Sequence, residues 1–362
     1  MTRNAQKQIR VLGLTVAILI LSGVTNILAF QEKISPLSDY QYKRDFAQYE
    51  TIKKEADVQK RADSLLAFIK EHPISRMLLY AATDYLGCVK PHLDQKDWAK
   101  AISMQEALWG LLPTQQTVQA AGIPVGTEEF LKDQLVPSQK LVLSNMLQVH
   151  LQSNNLPKGA ETAEKLYALS PEKALVPVMA NIYLGMKNYD KYLEFGQKTL
   201  ADTPIDQGGY TVAIQMAQVY LQKQDVPSAI GMLNKVMDVY GDKVPPNVPE
   251  EQWNATRAFA YGLIASSVYA TKDYAKTQEL YEKVAKFDPK RDDAYYFIGM
   301  CKWQSKDQAG AIDAFAKAVV LNKTMAPKAK QYMEDLYKAQ HSGSLDGLDQ
   351  VLAKAKAELG VS

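Results

Sequence analysis

The residues best suited to chemistry, histidine and cysteine, are few and scattered in this sequence. Among its 362 residues there are four His and two Cys, namely His72, His92, His150, His341, Cys88 and Cys301. No two histidines stand four residues apart, so the helical metal-binding pair is missing. The two cysteines are too few for a multi-cysteine zinc or iron–sulfur site. The sequence therefore predicts no metal and no cofactor. We interpret His72 and His150 as structural and expect both cysteines to be buried.

Catalytic motifs are also lacking. The sequence contains no G-x-S-x-G, no phosphate-binding loop of the Walker type and no G-x-G-x-x-G. Adjacent acids occur at Glu250–Glu251 and Asp292–Asp293, but both pairs lie at predicted helix starts, where exposed acids complement the helix dipole. No feature selects a carboxylate pair for glycoside cleavage. The sequence thus predicts no catalytic residue and favours a protein that is not an enzyme.

The composition fits an ordinary globular chain. Hydrophobic residues make up 47% and charged residues 23%, which is enough to build a core. Lys and Arg total 42 against 40 for Asp and Glu, a formal net charge of +2. Charge-driven nucleic-acid binding requires a concentrated basic face. We therefore expect no nucleic-acid partner.

The first thirty residues have the pattern of a targeting segment. Arg3, Lys7 and Arg10 precede an apolar run over Val11–Leu21, and polar residues follow. This order predicts a secretory signal peptide, with cleavage after Ala29. The alternative is an uncleaved anchor, because the apolar segment is long enough to span a bilayer. Without these three basic residues, 42 − 3 leaves 39 basic against 40 acidic residues. We expect an exported protein, periplasmic or otherwise extracytoplasmic, anchored in the inner membrane if the segment is retained.

The C-terminal half repeats with a period of 34 residues. Ala258–Arg291 aligns with Asp292–Met325, and large residues meet large ones while small residues meet small ones. The aligned pairs include Tyr261 with Tyr295, Ile264 with Ile298, Ala265 with Gly299, Asp273 with Asp307, Tyr281 with Phe315 and Val284 with Ala318. A constant period of this length indicates a repeat architecture, in which units stack because each cannot bury its apolar face alone.

These units resemble the tetratricopeptide repeat family, whose unit is a 34-residue helix–turn–helix. The family pattern places small residues where paired helices approach closely, and Gly299, Ala311 and Ala318 match it. Thr277 and Lys302 depart from it. Noisier units begin at Tyr210, Lys173 and Lys140. The resemblance implies an all-α fold, an α-solenoid of stacked helix–turn–helix repeats with a C-terminal capping helix. A generic helical bundle is the alternative.

The pattern divides the chain into five parts. They are a signal peptide or anchor over 1–30, an N-terminal helical block with degenerate repeats over 31–112, an insertion loop over 113–137, the repeat array over 138–325, and C-terminal capping helices over 326–362. Within the N-terminal block, Ile74–Val89 reads as an apolar helix that Pro91 stops. The insertion is rich in Gln, Gly and Pro, with only a short helix around Glu128–Leu135.

The resemblance also implies a binding surface. In this family, the first helix of each unit lines a concave groove through positions 2, 5, 9, 12 and 13. Carried onto this sequence, the groove residues include Gln218, Leu221, Phe259, Tyr269, Asp293, Tyr296, Met300, Trp303 and Gln304. Aromatic and Met side chains are enriched where proteins meet proteins. The alternative is that some of these residues pack against the C-terminal helices.

A receptor for a partner's C-terminal carboxylate is disfavoured. The family's clamp needs Lys at position 5 and Asn at position 9 of one unit, with basic residues later. Asn181 stands at position 9, but Pro177 stands at position 5, and Gly262 and Tyr296 occupy later groove positions. The sequence therefore predicts a non-catalytic scaffold for a protein or peptide partner, assembling a periplasmic or envelope complex. An enzyme or enzyme subunit with residues 113–137 as a lid, and a membrane-tethered assembly factor, remain alternatives.

Overall fold

The computed structural model describes residues 35–123 and 125–361. The predicted signal peptide, residues 1–30, lies outside this range. Within the described residues all regular structure is helical, so the all-α prediction is confirmed. No helix in this range is at once long enough and apolar enough to cross a membrane. The described residues form two compact units, unit 1 and unit 2, which are divided between Tyr192 and Leu193.

The described part of unit 1 contains two helices followed by helical hairpins. Its helices are α1 (Asp39–Lys53), α2 (Val58–Glu71), α3 (Leu78–Asp94), α4 (Trp98–Leu111), α5 (Gln115–Ala120), α6 (Thr127–Phe130), α7 (Val136–Gln152), α8 (Leu156–Leu169) and α9 (Leu175–Gly185). A π-helical segment over Leu131–Leu135 joins α6 directly to α7. The boundary between the units falls within α10 (Tyr189–Asp202). Residues 113–137 are therefore more helical than the predicted insertion loop.

Unit 2 contains the regular part of the repeat. Its helices after α10 are α11 (Tyr210–Gln222), α12 (Val226–Tyr240), α13 (Glu250–Ala270), α14 (Tyr274–Phe287), α15 (Asp292–Gln304), α16 (Gln308–Leu321), α17 (Ala326–Gln340) and α18 (Leu348–Leu359). The segment between α12 and α13 contains Pro245, Pro246 and Pro249 and separates two hairpins. The helices α17 and α18 follow the last repeat as the predicted capping helices and pack against α16.

The described residues contain six helix–turn–helix connections of the same construction. In each, an Asp or Asn side chain accepts a hydrogen bond from the backbone N–H three residues later. These residues are Asp97, Asn155, Asn188, Asp225, Asp273 and Asp307. The residue before each has positive φ, at Lys96, Asn154, Lys187, Gln224, Lys272 and Lys306. A left-handed residue reverses the chain, and the cap satisfies an orphan N–H of the second helix. The tetratricopeptide-like hairpin is thus confirmed.

Small residues permit the close helix contacts of unit 2. A Cβ atom at Gly299 in α15 would lie 2.7 Å from the Phe315 ring on α16. Phe315 is fully buried, as is Ala265 at the matching position of the preceding hairpin. Larger side chains at these positions would overpack the contact. The 34-residue spacing of small residues is therefore explained by helix packing.

The prediction that Pro91 stops a helix was wrong. Helix α3 begins at Leu78 and continues through Pro91 to Asp94. Proline removes the hydrogen bond to the carbonyl four residues earlier and crowds that residue. Here that residue is Gly87, which is exposed and has no side chain. Its carbonyl is open to solvent, so the helix tolerates Pro91 near its end.

Candidate functional site

The first helices of three hairpins in unit 2 carry the predicted groove residues. Gln218 and Leu221 lie on α11, Phe259 and Tyr269 on α13, and the remaining five on α15. Gln218, Phe259 and Gln304 are exposed, and Met300 is buried. Leu221, Tyr269, Asp293, Tyr296 and Trp303 are half-buried. We call these nine residues the first-helix face.

Helix α17 covers the part of this face that lies on α15. The Trp303 ring centroid is 5.4 Å from that of Tyr332 on α17. The Tyr296 ring lies 6.3 Å from the same Tyr332 ring. Aromatic pairs at these separations are stabilising beyond their buried area. Tyr296 and Trp303 therefore take part in internal packing of unit 2.

Tyr269 belongs to the same aromatic cluster. Its ring centroid lies 5.1 Å from Phe297 and 5.8 Å from Tyr274. Phe297 in turn stacks on Tyr281 at 4.9 Å. Burial raises the pKa of Tyr269 above its ordinary value, because the charged phenolate is disfavoured in an apolar environment. This side chain joins the first helix of one hairpin to that of the next.

The open part of the face lies around Phe259. This side chain is 42% exposed, which is unusual for a large apolar residue in a packed helix. Gly262 stands three residues later, on the same helix face. A Cβ atom at Gly262 would lie 3.5 Å from Nη2 of Arg291. The missing side chain at position 262 therefore leaves room for a guanidinium beside the face.

Arg291 is held there by a bidentate ion pair. Its Nε donates to Oδ1 of Asp293 at 2.7 Å, and its Nη2 donates to Oδ2 at 2.5 Å. This pairing is the largest of the effects that raise the pKa of Arg291. Both side chains stay about one-third exposed, at 33% and 27%. The planar guanidinium is thus pre-positioned for contact with a carboxylate or carbonyl group.

Sequence reasoning missed Arg291 because it considered only first-helix positions. Arg291 is the last residue of its repeat and immediately precedes α15. It supplies a basic group beside Gly262, a groove position at which the sequence offered none. The sequence signal that could have identified this residue is the position of Arg291 directly before α15, the first helix of its hairpin.

The interpretation of Asp292 as an exposed helix-start acid was wrong. Asp292 is only 6% exposed. Its Oδ1 accepts from the backbone N–H of Asp293 at 2.9 Å, and its Oδ2 accepts from that of Met325 at 2.6 Å. The carboxylate therefore ties the start of α15 to the segment before α17. Asp292 positions Asp293 and is not itself available to a partner.

The remaining reactive residues form no second site among the described residues. Cys88 and Cys301 are both free and buried, as predicted. Burial raises the pKa of the Cys301 thiol to about 11, which disfavours the reactive thiolate. No group of His, Cys, Asp and Glu within the described range is arranged to hold a metal ion.

Comparisons with known proteins give structural neighbours only. No protein-family model and no curated protein matches the chain. Among solved structures it is similar to MamA from Desulfovibrio magneticus RS-1, at 13% identity over 56% of this chain and 96% of that one, with a TM-score of 0.32. The TPR2AB domain of yeast Sti1, in complex with pHSP90, matches at 13% identity, 88% and 100% coverage, and a TM-score of 0.34.

A third similar structure is YrrB, described as a TPR protein with an unusual peptide-binding site. It matches at 14% identity over 57% of this chain and 98% of that one, with a TM-score of 0.37. Sti1 and YrrB are tetratricopeptide repeat proteins by their descriptions. Because these TM-scores are low, the fold assignment depends on the hairpins of this chain itself.

Proposed function

We propose that this chain is an interaction scaffold that binds a peptide segment of a partner protein on the first-helix face. Two observations carry the proposal: Phe259 is 42% exposed, and the Arg291–Asp293 ion pair lies against Gly262, three residues further along the same helix. Asp293 occupies the Nε and one Nη2 N–H of Arg291, and the remaining guanidinium N–H groups can donate to a partner. Arginine is enriched among the residues that contribute most to binding. The partner segment would place an apolar side chain against Phe259 and a carboxylate or backbone carbonyl on Arg291.

The residues of the first-helix face that lie on α15 hold this site in position, and most of them are covered by internal packing. Tyr296 and Trp303 pack on Tyr332, and Met300 is buried. These contacts fix the position of α15 and so of Asp293, which holds Arg291. A rigid surface costs less entropy on binding than a mobile one. We therefore place the partner contacts at Phe259, Arg291, Gln218 and Gln304.

Capture of partners by matched variants tests the proposal. Phe259→Ala removes the exposed ring, whereas Leu345→Ala removes an apolar side chain of similar exposure, 38%, from a turn of the same unit. We expect Phe259→Ala to abolish co-purification of the host partner without lowering the melting temperature. Leu345→Ala should retain both the co-purification of the partner and the melting temperature of the wild-type protein. Equal recovery of the same partner by both variants would contradict the proposal.

We also propose that the scaffold acts outside the cytoplasm, on the evidence of residues 1–30. Their basic start and apolar run support export, followed by cleavage or by retention as an anchor. Edman sequencing of the chain purified from its host distinguishes these states. A new N-terminus at Phe30 indicates cleavage after Ala29, and an intact N-terminus in the membrane fraction indicates a tethered assembly factor. An intact, cytoplasmic chain would contradict export.

A further inference from the structure

Unit 1 contains a cleft whose lining includes none of the residues of the first-helix face. Its volume is about 690 Å³, and it lies between the start of α1, the start of α3 and the segment over 125–134. Volumes of this size accommodate small ligands or a few peptide side chains. The segment over 125–134 comes from the predicted insertion, which the proposed function does not use.

One wall of the cleft is apolar and open to solvent. Tyr80 is 56% exposed and Val125 is 78% exposed, while Phe130 is buried at the base. Single exposed apolar residues are common, but exposed residues that line one concavity indicate an interaction site. The wall is also well anchored, because Oε1 of Gln134 accepts from the backbone N–H of Leu79 at 3.2 Å.

The cleft lining also carries an excess of negative charge. Three lining residues are acidic, Asp39, Glu129 and Asp133, and one is basic, Arg76, so the formal sum is −3 + 1 = −2. Arg76 is already engaged, since its Nη1 donates to Oδ1 of Asp39 at 2.8 Å. Its guanidinium also lies 4.5 Å from the centroid of the Tyr42 ring. Arg76, the basic residue of the lining, therefore neutralises the charge of Asp39. The charges of Glu129 and Asp133 are not neutralised by it.

Glu129 and Asp133 have no ion-pair partner among the described residues, and both are exposed. They stand four residues apart on one helical stretch, where like charges repel. A cation bound between or beside them would relieve that repulsion. The cleft thus joins two unpaired carboxylates to an apolar wall.

We propose that this cleft binds a peptide segment of a partner protein in which a Lys or Arg stands next to an apolar residue. The cation would meet Glu129 and Asp133, and the apolar side chain would lie against Tyr80 and Val125. Electrostatic complementarity of this kind supplies specificity and a salt-dependent association rate. The site lies within unit 1, so substitutions here leave Phe259 and Arg291 unchanged.

Fluorescence anisotropy with labelled peptides tests the proposal on the full-length chain. The probes are acetylated, amidated hexapeptides of alternating Leu–Lys, Leu–Glu and Ser–Lys. We expect the Leu–Lys peptide to bind at least tenfold more tightly than either of the others, and its affinity to fall at higher salt. Glu129→Gln with Asp133→Asn should weaken its binding about tenfold. Tyr80→Ala should weaken it as well.

The matched control is Glu128→Gln, which neutralises an exposed acid on the same helix outside the cleft lining. It should leave the affinity within twofold of wild type. No measurable binding, equal binding of the three peptides, or equal effects of the control and the double variant would each overturn the proposal. Light scattering on Glu129→Lys with Asp133→Lys checks a self-association role. A dimer that this variant dissociates would mean that a second copy occupies the cleft, and would also overturn the proposal.

Discussion

The two units of this chain specify similar hairpins by different means. In unit 2 the last two repeats follow each other with a period of 34 residues. Small residues, such as Ala265 and Gly299, occupy the same repeat position where helices meet. Unit 1 has irregular spacing and buries polar groups, including Asp45, Gln105 and His150. In unit 2 the regular spacing of small and apolar residues sets the helix contacts, and a few buried polar groups such as Asp292 add ties between elements. Among the buried polar groups of unit 1, Asp45 makes directional hydrogen bonds, which favour one arrangement of the neighbouring helices.

The N-terminal helix shows what such contacts do in unit 1. Asp45 of α1 is 1% exposed, and its Oδ2 accepts from the Ser75 hydroxyl at 2.5 Å. Its Oδ1 accepts from Nε2 of Gln41 at 2.6 Å and lies 3.4 Å from Nδ1 of His72. One carboxylate thus fixes α1 against the turn between α2 and α3.

The largest expected effect comes from the packing of unit 2. Gly299→Ala would place a Cβ atom 2.7 Å from the buried Phe315 ring. We expect it to lower the free energy of unfolding by about 3 kcal/mol, at the upper end of overpacking costs. Urea denaturation followed by circular dichroism measures the change. Gly231→Ala is the control, because Gly231 is exposed on α12 and a Cβ there meets nothing within 4 Å.

That control should stabilise the protein by about 0.5–1 kcal/mol, because alanine replaces glycine within a helix. Opposite signs at the two glycines would confirm that close helix contact, rather than helix propensity, determines the residue at position 299. Equal effects of the two substitutions would contradict the repeat packing.

A smaller effect is expected from the polar contacts of unit 1. Asp45→Ala leaves the hydroxyl of Ser75 and the amide of Gln41 without their acceptor. We expect a loss of about 2 kcal/mol in the free energy of unfolding, the usual cost of a buried unsatisfied donor. The control is Asp63→Ala, which removes an exposed carboxylate from α2 and should change stability by less than about 0.5 kcal/mol. Indistinguishable urea midpoints for the two variants would show that Asp45 does not fix α1.

The smallest effect depends on pH. Burial lowers the pKa of His150, with Lys158 also lowering it and Glu106 and Glu161 raising it. The unfolded chain therefore takes up this proton first, and stability falls as pH drops below about 6.5. His150→Leu removes this dependence. We expect the stability of this variant relative to wild type to increase as the pH falls from 7.5 to 5.5, by at most about 1.4 kcal/mol, the limit set by an unfolded-state pKa of about 6.5.

Thermal unfolding of both proteins across this pH range measures that difference. A constant difference at all pH values would contradict the assignment of a neutral buried imidazole. His150 has an unpartnered Nδ1, so replacement by an apolar side chain should not break a hydrogen bond of the protein.

The sequence predicted most of the fold because its signals are local. The Asp or Asn that caps each second helix, such as Asp273 and Asp307, is visible as a repeated residue type. The helix through Pro91 was mispredicted because proline tolerance depends on exposure of Gly87, which no periodicity reveals. Likewise, the buried role of Asp292 depends on Met325, which is 33 residues away.

The candidate site was only partly predictable, because some of its contacts join residues that are distant in the sequence. Phe259 and Asp293 follow from repeat positions. The covering of Trp303 by Tyr332 involves a helix beyond the repeat, and Arg291 reaches position 262 from the residue before α15, outside the first-helix positions of the pattern. Contacts between elements, rather than residue types, decide which groove residues are open.

Site-specific photo-crosslinking tests the central claim, that the open part of the first-helix face binds a partner protein. A benzoylphenylalanine at position 259 replaces one exposed aromatic residue by another, and a second at Lys235 marks the exposed surface of α12, a second helix. Irradiation in the host should yield a discrete partner adduct from position 259 and none from position 235. No adduct from position 259, or the same adduct from both positions, would contradict the account.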